Sequence, residues 1–155
     1  MSHPKADLGK RFLAALIDGV ISGVLSMVIP VLGGLLGAAY TLTKDALVFQ
    51  LTKDTQWKNK SIGKKLMGLQ VANLAGGDVD VSMSVKRNVT LAVGPLFAAL
   101  PPLGFLLAPL IGGILGFIEV VLVLTDADGR RLGDRWANTQ VVLAPESTPS
   151  SVSKA

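Results

Sequence analysis

Cysteine is absent from this chain of 155 residues, and histidine occurs only once. Without thiols there can be no disulfide framework, thiolate metal site or cysteine nucleophile. The single histidine, His3, lies in a polar N-terminal segment, where a solvated side chain is far more common than a metal ligand. We therefore expect neither a metal ion nor another cofactor.

Charged residues are also scarce. They make up 17% of the chain, against about 25% in a typical soluble domain. Asp18 is the only charged residue between Phe12 and Lys44, and Glu119 is the only one between Asn88 and Asp126. Apolar runs of about 18 or more residues indicate membrane spans. The alternative is a soluble protein with buried core helices, but a domain this small could hardly bury two such runs on all sides.

The first apolar stretch predicts a hairpin of two spans. The run from Phe12 to Ile29 is just long enough to cross a hydrocarbon core of about 30 Å. Pro30 and the glycine pair 33–34 then predict a tight turn. The second span is predicted from about residue 31 or 35 to Leu51.

The second apolar stretch, Val89 to Thr125, is too long for one straight span. It fits either two short spans or a re-entrant segment followed by a span. Pro101-Pro102 and Gly104 predict the reversal, and Pro109 with the glycines at 112–113 is the alternative position. The predicted fold is therefore an all-α membrane protein of two transmembrane helical hairpins. It has four spans, with three spans as the alternative.

The polar segments predict a small amount of β-structure. Residues 69–73 and 78–81 alternate in polarity around Gly76-Gly77, which predicts a β-hairpin, with a plain loop as the alternative. Residues 139–143 are also strand-like and would make the element three-stranded. Residues 61–69 predict a short interfacial helix capped by Ser61.

The lysines and arginines outside the predicted spans fall on one side if each apolar stretch is a hairpin. They precede the first span, lie between the two stretches or follow the last span, and none lies in the turns near Pro30 and Pro101. The positive-inside bias makes that side cytoplasmic, with both termini there, in a multi-pass protein of the cell inner membrane. Three spans would leave one basic group outside. Residues 1–144 are predicted to form one domain, and 145–155 a disordered polar tail.

The basic loop between the two stretches is predicted to contact anionic lipid headgroups. The residues expected to do so are Lys58, Lys60, Lys64, Lys65 and the interfacial aromatic residue Trp57.

Three carboxylates fall inside the predicted spans at one depth. At about 1.5 Å per residue, Asp18, Asp45 and Glu119 each lie roughly 9–10 Å from the cytoplasmic boundary. Lys44 lies beside them, and Arg11 can reach them from the membrane edge. Such groups normally face the bundle interior with partners. They could form an ion-pair network that fixes helix packing, a cation or proton site, or a set of side chains that extend to the interface.

Three blocks of residues, in order along the chain, carry a resemblance to a known family. They are residues 10–18, residues 61–71 with a Gly-Lys…Gly-Leu-x-Val pattern, and residues 131–142 with an Asp…Thr-x-Val pattern. This chain resembles the RDD family of small bacterial membrane proteins, named for one arginine and two aspartates. The resemblance assigns these to Arg11, Asp18 and Asp134. It also implies a link to ion transport, chiefly sodium–proton exchange, and a description with three spans.

Two functions from different classes follow. In the first, the protein is transport-related: Asp18, Asp45 and Glu119 bind a cation or protons, while Lys44 or Arg11 competes as an internal cation. In the second, it is a non-catalytic scaffold or accessory subunit that binds partner proteins or anionic lipid.

An enzyme is not expected. The carboxylates are not accompanied by a nucleophile–base pair, metal-ligand spacing or a nucleotide motif. The expected partners are a bilayer with anionic lipids and either further copies of the chain or another membrane protein. Nucleic acid is not expected, because the lysines lie at a membrane edge where lipid is the nearer polyanion.

Overall fold

The computed structural model describes residues 3–29, 31–100 and 102–145, with the backbone alone at Phe105. The long helices are α1 (Leu8–Met27), α2 (Leu32–Thr52), α4 (Val81–Ala98) and α5 (Leu103–Thr125). The short elements are α3 (Ile62–Leu66), α6 (Leu132–Trp136), the strands β1 (Leu69–Asn73) and β2 (Thr139–Leu143), and a 3₁₀ turn at Thr55–Trp57. Pro30, Pro101 and the predicted tail beyond Pro145 lie outside the described residues.

Local capping explains where two of the long helices, α1 and α4, begin. The Asp7 carboxylate accepts the Lys10 N–H at 2.8 Å, and the Asp80 carboxylate accepts the Met83 N–H at 2.7 Å. Both α1 and α4 therefore start earlier than the apolar runs did. For α4 the difference matters, because Arg87 lies inside the helix rather than in front of it. α4 ends at Ala98, α5 begins at Leu103, and Pro109 lies within α5.

The sheet is two-stranded and antiparallel, and the predicted hairpin is wrong. β1 pairs with β2, with Leu69 opposite Leu143 and Asn73 opposite Thr139. The turn at Gly76-Gly77 does not lead to a second strand, because Asp80 caps α4 and Val81 is already helical. The predicted strand at 139–143 is confirmed, with β1 alone as its partner within the described residues.

Among the described residues, α5 alone is long and apolar enough to pass as a membrane span, over Leu106–Thr125. The other long helices carry charges within their length, such as Asp18 in α1, Asp45 in α2 and Arg87 in α4. The four-span count therefore remains a proposal.

The two halves of the chain repeat one structural unit. Each consists of two long helices, a loop, a five-residue helix and a five-residue strand, first as α1-α2-α3-β1 and then as α4-α5-α6-β2. The sequences align from Ser61–Val71 to Arg131–Val141, with identical residues at Gly63/Gly133, Gln70/Gln140 and Val71/Val141.

Close backbone contacts repeat as well. Gly63 lies against the carbonyl oxygen of Ala14 in α1, and Gly133 lies against that of Arg87 in α4. A Cβ at either glycine would collide with that oxygen. The same small residue thus lets each short helix approach the first long helix of its half.

The sheet relates the two halves by a pseudo-two-fold axis. Val71 and Val141, equivalent in the two units, are directly opposite each other in the register. The Leu74 N–H donates to the Asn138 carbonyl at 3.0 Å, and the equivalent Ala144 N–H donates to the equivalent Gly68 carbonyl at 2.8 Å. Both helix pairs leave from and return to the sheet end, so the units are parallel repeats.

Candidate functional site

Asp18 of α1 is buried and accepts hydrogen bonds from three neutral groups. The donors are the Ser61 hydroxyl at 2.6 Å, the Gly63 N–H at 2.9 Å and the Tyr40 hydroxyl at 3.2 Å. Its cationic neighbours are Lys44 and Lys64, whose Nζ atoms lie 3.4 and 3.9 Å from Oδ2. Because Gly63 admits α3 so close to α1, the short helix brings its donors directly to this carboxylate.

Asp45 of α2 joins three elements. Its carboxylate lies 2.7 Å from Lys64 Nζ of α3 and accepts the Asn88 side-chain amide of α4 at 2.9 Å. Arg87 Nε lies 3.4 Å from Oδ2 of Asp45, the oxygen that also accepts the Asn88 amide. Lys64 therefore bridges Asp45 and Asp18, two of the three predicted carboxylates.

Asp134 of α6 is surrounded by three arginines. Its carboxylate lies 2.8 Å from Arg87 Nη2, 3.2 Å from Arg131 Nε and 3.6 Å from Arg11 Nη2. Burial raises the pKa of Asp134, but Arg87, Arg131 and Arg11 together outweigh burial and hold this pKa below its ordinary value. Arg131 Nη2 also donates to Oδ1 of the Asn88 side-chain amide at 2.6 Å, and the other end of this amide donates to Asp45, which links the two clusters.

Glu119 of α5 is buried and accepts hydrogen bonds from two neutral groups. Its carboxylate accepts the Thr90 hydroxyl and, at 2.8 Å, the Leu132 N–H. Burial lowers the pKa of Arg131, while Asp134, Glu119 and Asp45 raise it, and the net shift is upward. Glu119 therefore joins the other charges through the field at Arg131.

The predicted lipid-facing residues divide into two groups. Lys64 is buried among the carboxylates, with Nζ 2.7 Å from Asp45, and is not part of the outer basic surface. Lys65 Nζ lies 3.7 Å above the Trp57 ring, and Lys58 Nζ lies 2.7 Å from Asp78, both outside the buried cluster. Lys60 Nζ donates to the Gln56 carbonyl at 3.2 Å, also near the surface.

Sequence reasoning missed several members of the site, chiefly Arg87, Asn88, Arg131, Ser61 and Tyr40. A signal was present for part of this set. Ser84, Arg87 and Asn88 are spaced by three and four residues, which puts them on one helical face. The approach of that face to Asp45 depends on tertiary packing and has no local signal.

We call the nine charged side chains the charge network. They comprise five cations (Arg11, Lys44, Lys64, Arg87, Arg131) and four carboxylates (Asp18, Asp45, Glu119, Asp134). Arg87 lies within ionic distance of two carboxylates through Nε and Nη2, and its Nη1 has no hydrogen-bond partner within the described residues. Arg11 Nη1 likewise has no hydrogen-bond partner in that part of the chain.

A cleft of about 690 Å³ opens beside the charge network, between α1 and α5. Its walls include Phe12 and Leu16 on one side and Val120 and Leu124 on the other. The cleft is also lined by seven members of the charge network: Arg11, Lys44, Lys64, Arg87, Arg131, Asp18 and Glu119. The site thus combines an apolar opening with a charged floor.

Among the comparisons with known proteins, the match is to a family model. No curated protein and no solved structure matches the chain. The model of the RDD family matches residues 5–138, which is most of the chain. The resemblance in the three sequence blocks is thereby confirmed, and the match to this family indicates a membrane protein. This chain belongs to the RDD family.

Proposed function

We propose that this protein is a four-span inner-membrane protein that acts as a non-catalytic scaffold or accessory subunit. The observation that carries this proposal is the saturation of the buried carboxylates. Asp18, Asp45, Glu119 and Asp134 each accept hydrogen bonds from protein donors, and five cations accompany them. An added metal cation would increase the positive excess. The arrangement favours a fixed network over a cation carrier.

Insertion in a bilayer is supported by the inverted distribution of polarity. Asp45 and Arg87 are 0% exposed, whereas Phe12 and Val24 on α1 are 65% and 59% exposed. Large outward apolar surfaces are uncommon on soluble monomers. Ionisable groups in membrane helices face the bundle interior and pair with one another. This distribution of polarity is accounted for if each of the four long helices, α1, α2, α4 and α5, spans the bilayer once.

The proposed orientation places the sheet and both termini in the cytoplasm. Basic residues outside the charge network cluster at the sheet end, including Lys10, Lys53, Lys86 and Arg130. The segments that connect α1 to α2 and α4 to α5 contain no basic residue. This distribution agrees with the positive-inside bias.

Because the chain has no cysteine, single cysteines can report its topology without background. Val28→Cys and Leu100→Cys lie in the two distal turns, and Ala75→Cys lies at the sheet end. A membrane-impermeant maleimide should label the first two in intact spheroplasts and the third only after permeabilisation. Labelling of Leu100→Cys and Ala75→Cys from the same side would contradict four spans.

Ion flux distinguishes the accessory proposal from transport. Proteoliposomes containing the wild type, Asp18→Asn or Glu119→Gln should all show the same sodium and proton flux as protein-free liposomes. Flux in the wild type that both variants lose would restore the transport hypothesis. The accessory role also requires recovery in mild detergent with a second copy or another membrane protein, so recovery as a lone chain would count against it.

A further inference from the structure

The pseudo-two-fold axis relates the cleft to another pair of helices, which are packed together. The rotation that exchanges the halves carries the pair α2–α4 onto the pair α5–α1. α2 and α4 are packed together: Gly34 lies against the backbone of Ala99, and the Ser84 hydroxyl donates to the Leu42 carbonyl at 2.8 Å. α1 and α5 are separated by the cleft instead. One of two equivalent seams is thus closed by protein and the other is open.

The floor of the open seam favours an anion. Arg11 Nη1 and Arg87 Nη1 are buried N–H groups without hydrogen bonds in the described chain, and both residues line the cleft. A buried donor left unsatisfied is unfavourable by about 1–3 kcal/mol, and more when it is charged. The two carboxylates that line the cleft, Asp18 and Glu119, are already occupied by protein donors.

The walls favour an acyl chain. Phe12, Leu16, Val120 and Leu124 are all largely exposed, at 65%, 51%, 51% and 57%. The cleft volume of about 690 Å³ is within the range of roughly 300–1,000 Å³ typical of small-molecule sites. A transmembrane helix, about 10–12 Å in diameter with its side chains, needs far more room than this.

We propose that the cleft between α1 and α5 binds one acidic phospholipid from the surrounding bilayer. Its phosphate meets the guanidinium groups of Arg11 and Arg87, and one acyl chain lies between Phe12 and Leu16 of α1 and Val120 and Leu124 of α5. Guanidinium groups present a planar fork of donors that matches phosphate oxygens. The site lies within the bundle seam, and so goes beyond the accessory function proposed above, while it rests on the insertion of the chain in a bilayer.

Gly116 offers a variant that fills the cleft without disturbing the charges. It lines the cleft, and no atom lies within 4 Å of a Cβ built there. Gly113 is on the same helix, has equally open space and lies outside the cleft lining, so Gly113→Leu is the matched control. Both variants should fold.

The test is native mass spectrometry of the full chain in detergent, titrated with dioleoylphosphatidylglycerol, dioleoylphosphatidylcholine or inorganic phosphate. The wild type and Gly113→Leu should retain one phosphatidylglycerol at least about tenfold more tightly than phosphatidylcholine. That retention should be lost in Gly116→Leu. A Lys58→Gln/Lys65→Gln variant, which removes two cations at the surface, should retain it.

Three results would overturn the proposal. These are equal binding of both lipids by the wild type, retention of phosphatidylglycerol by Gly116→Leu, and saturation by inorganic phosphate alone. Loss of binding only in the surface-lysine variant would move the lipid to the surface and also refute the cleft site. The cysteine-labelling experiment tests insertion separately, so failure of the lipid site would leave the four-span proposal intact.

Discussion

The two halves of this protein share a backbone plan but carry opposite charges at the same place. Lys64 and Asp134 occupy equivalent positions in α3 and α6, each directly after the glycine that contacts a long helix. Lys64 lies within ionic distance of the two carboxylates Asp18 and Asp45, whereas Asp134 lies within that distance of three arginines. The glycines set how closely the elements approach, and the charges determine which half goes where.

Removing either of these central charges should have the largest effect. Asp134→Asn leaves three arginines without their common carboxylate, and Lys64→Gln leaves Asp45 without its nearest cation. Breaking a buried ion pair from one side typically costs about 3–5 kcal/mol, and we expect Asp134→Asn to be the more damaging. Denaturant titration in detergent, followed by fluorescence of Trp57 and Trp136, measures the free energy of unfolding. A loss below about 1 kcal/mol for both variants would mean that these charges do not hold the halves together.

Acid should remove the contribution of Asp134. Its folded pKa is lowered, so its stabilisation is complete above the unfolded pKa of about 3.9 and disappears as pH falls through the folded pKa. The difference in unfolding free energy between the wild type and Asp134→Asn should therefore be constant from pH 7 to about pH 5. It should shrink only below about pH 4. A difference that already shrinks between pH 7 and pH 6 would assign the effect to another group.

The glycine contacts test whether the halves are equivalent in their packing. Gly63→Ala and Gly133→Ala should each cost about 1–3 kcal/mol, because each places a Cβ against a backbone carbonyl oxygen. The two losses should be similar. Gly113→Ala, with open space at its Cβ, is the control and should be neutral or slightly stabilising. A large loss from only one of the two would show that the repeat does not extend to packing.

The smallest effect is expected one residue further along. Lys65 lies over the Trp57 ring, and its equivalent Arg135 lies 2.6 Å from Asp126 with almost half of its own side chain exposed. Exposed pairs of this kind contribute about 0–1 kcal/mol. Lys65→Gln and Arg135→Gln should both fall in that range in the same titration. A larger effect from either would show that this surface also takes part in holding the halves.

The sequence predicted the features that depend on near neighbours. Ser61 caps its helix because its side-chain oxygen lies within reach of the Lys64 N–H, three residues on. The predicted hairpin was wrong because the turn at Gly76-Gly77 is not followed by a strand. Asp80 instead caps α4, so the chain continues as a helix. The partner of β1 lies at the far end of the domain, beyond any local pattern.

The candidate site, too, was predicted only where the signal was local. The depth of Asp18 and Asp45 along their spans could be counted, and the structure links them through Lys64. Lys64 itself was grouped with its basic neighbours, because composition does not say which lysine faces inward. Its burial results from the approach of Gly63 to Ala14, a contact between residues far apart in the chain.

The pairing of β1 with β2 also sets an order for biogenesis. Asp18, Lys44, Asp45 and Lys64 all belong to the first half, so an emerging chain can match these charges before the second half is synthesised. Arg11 and Arg87 must wait for Asp134, and β1 must wait for its partner strand. During translation the charges of the first half are therefore nearly balanced before the second half is made, and the sheet closes only when β2 has been synthesised.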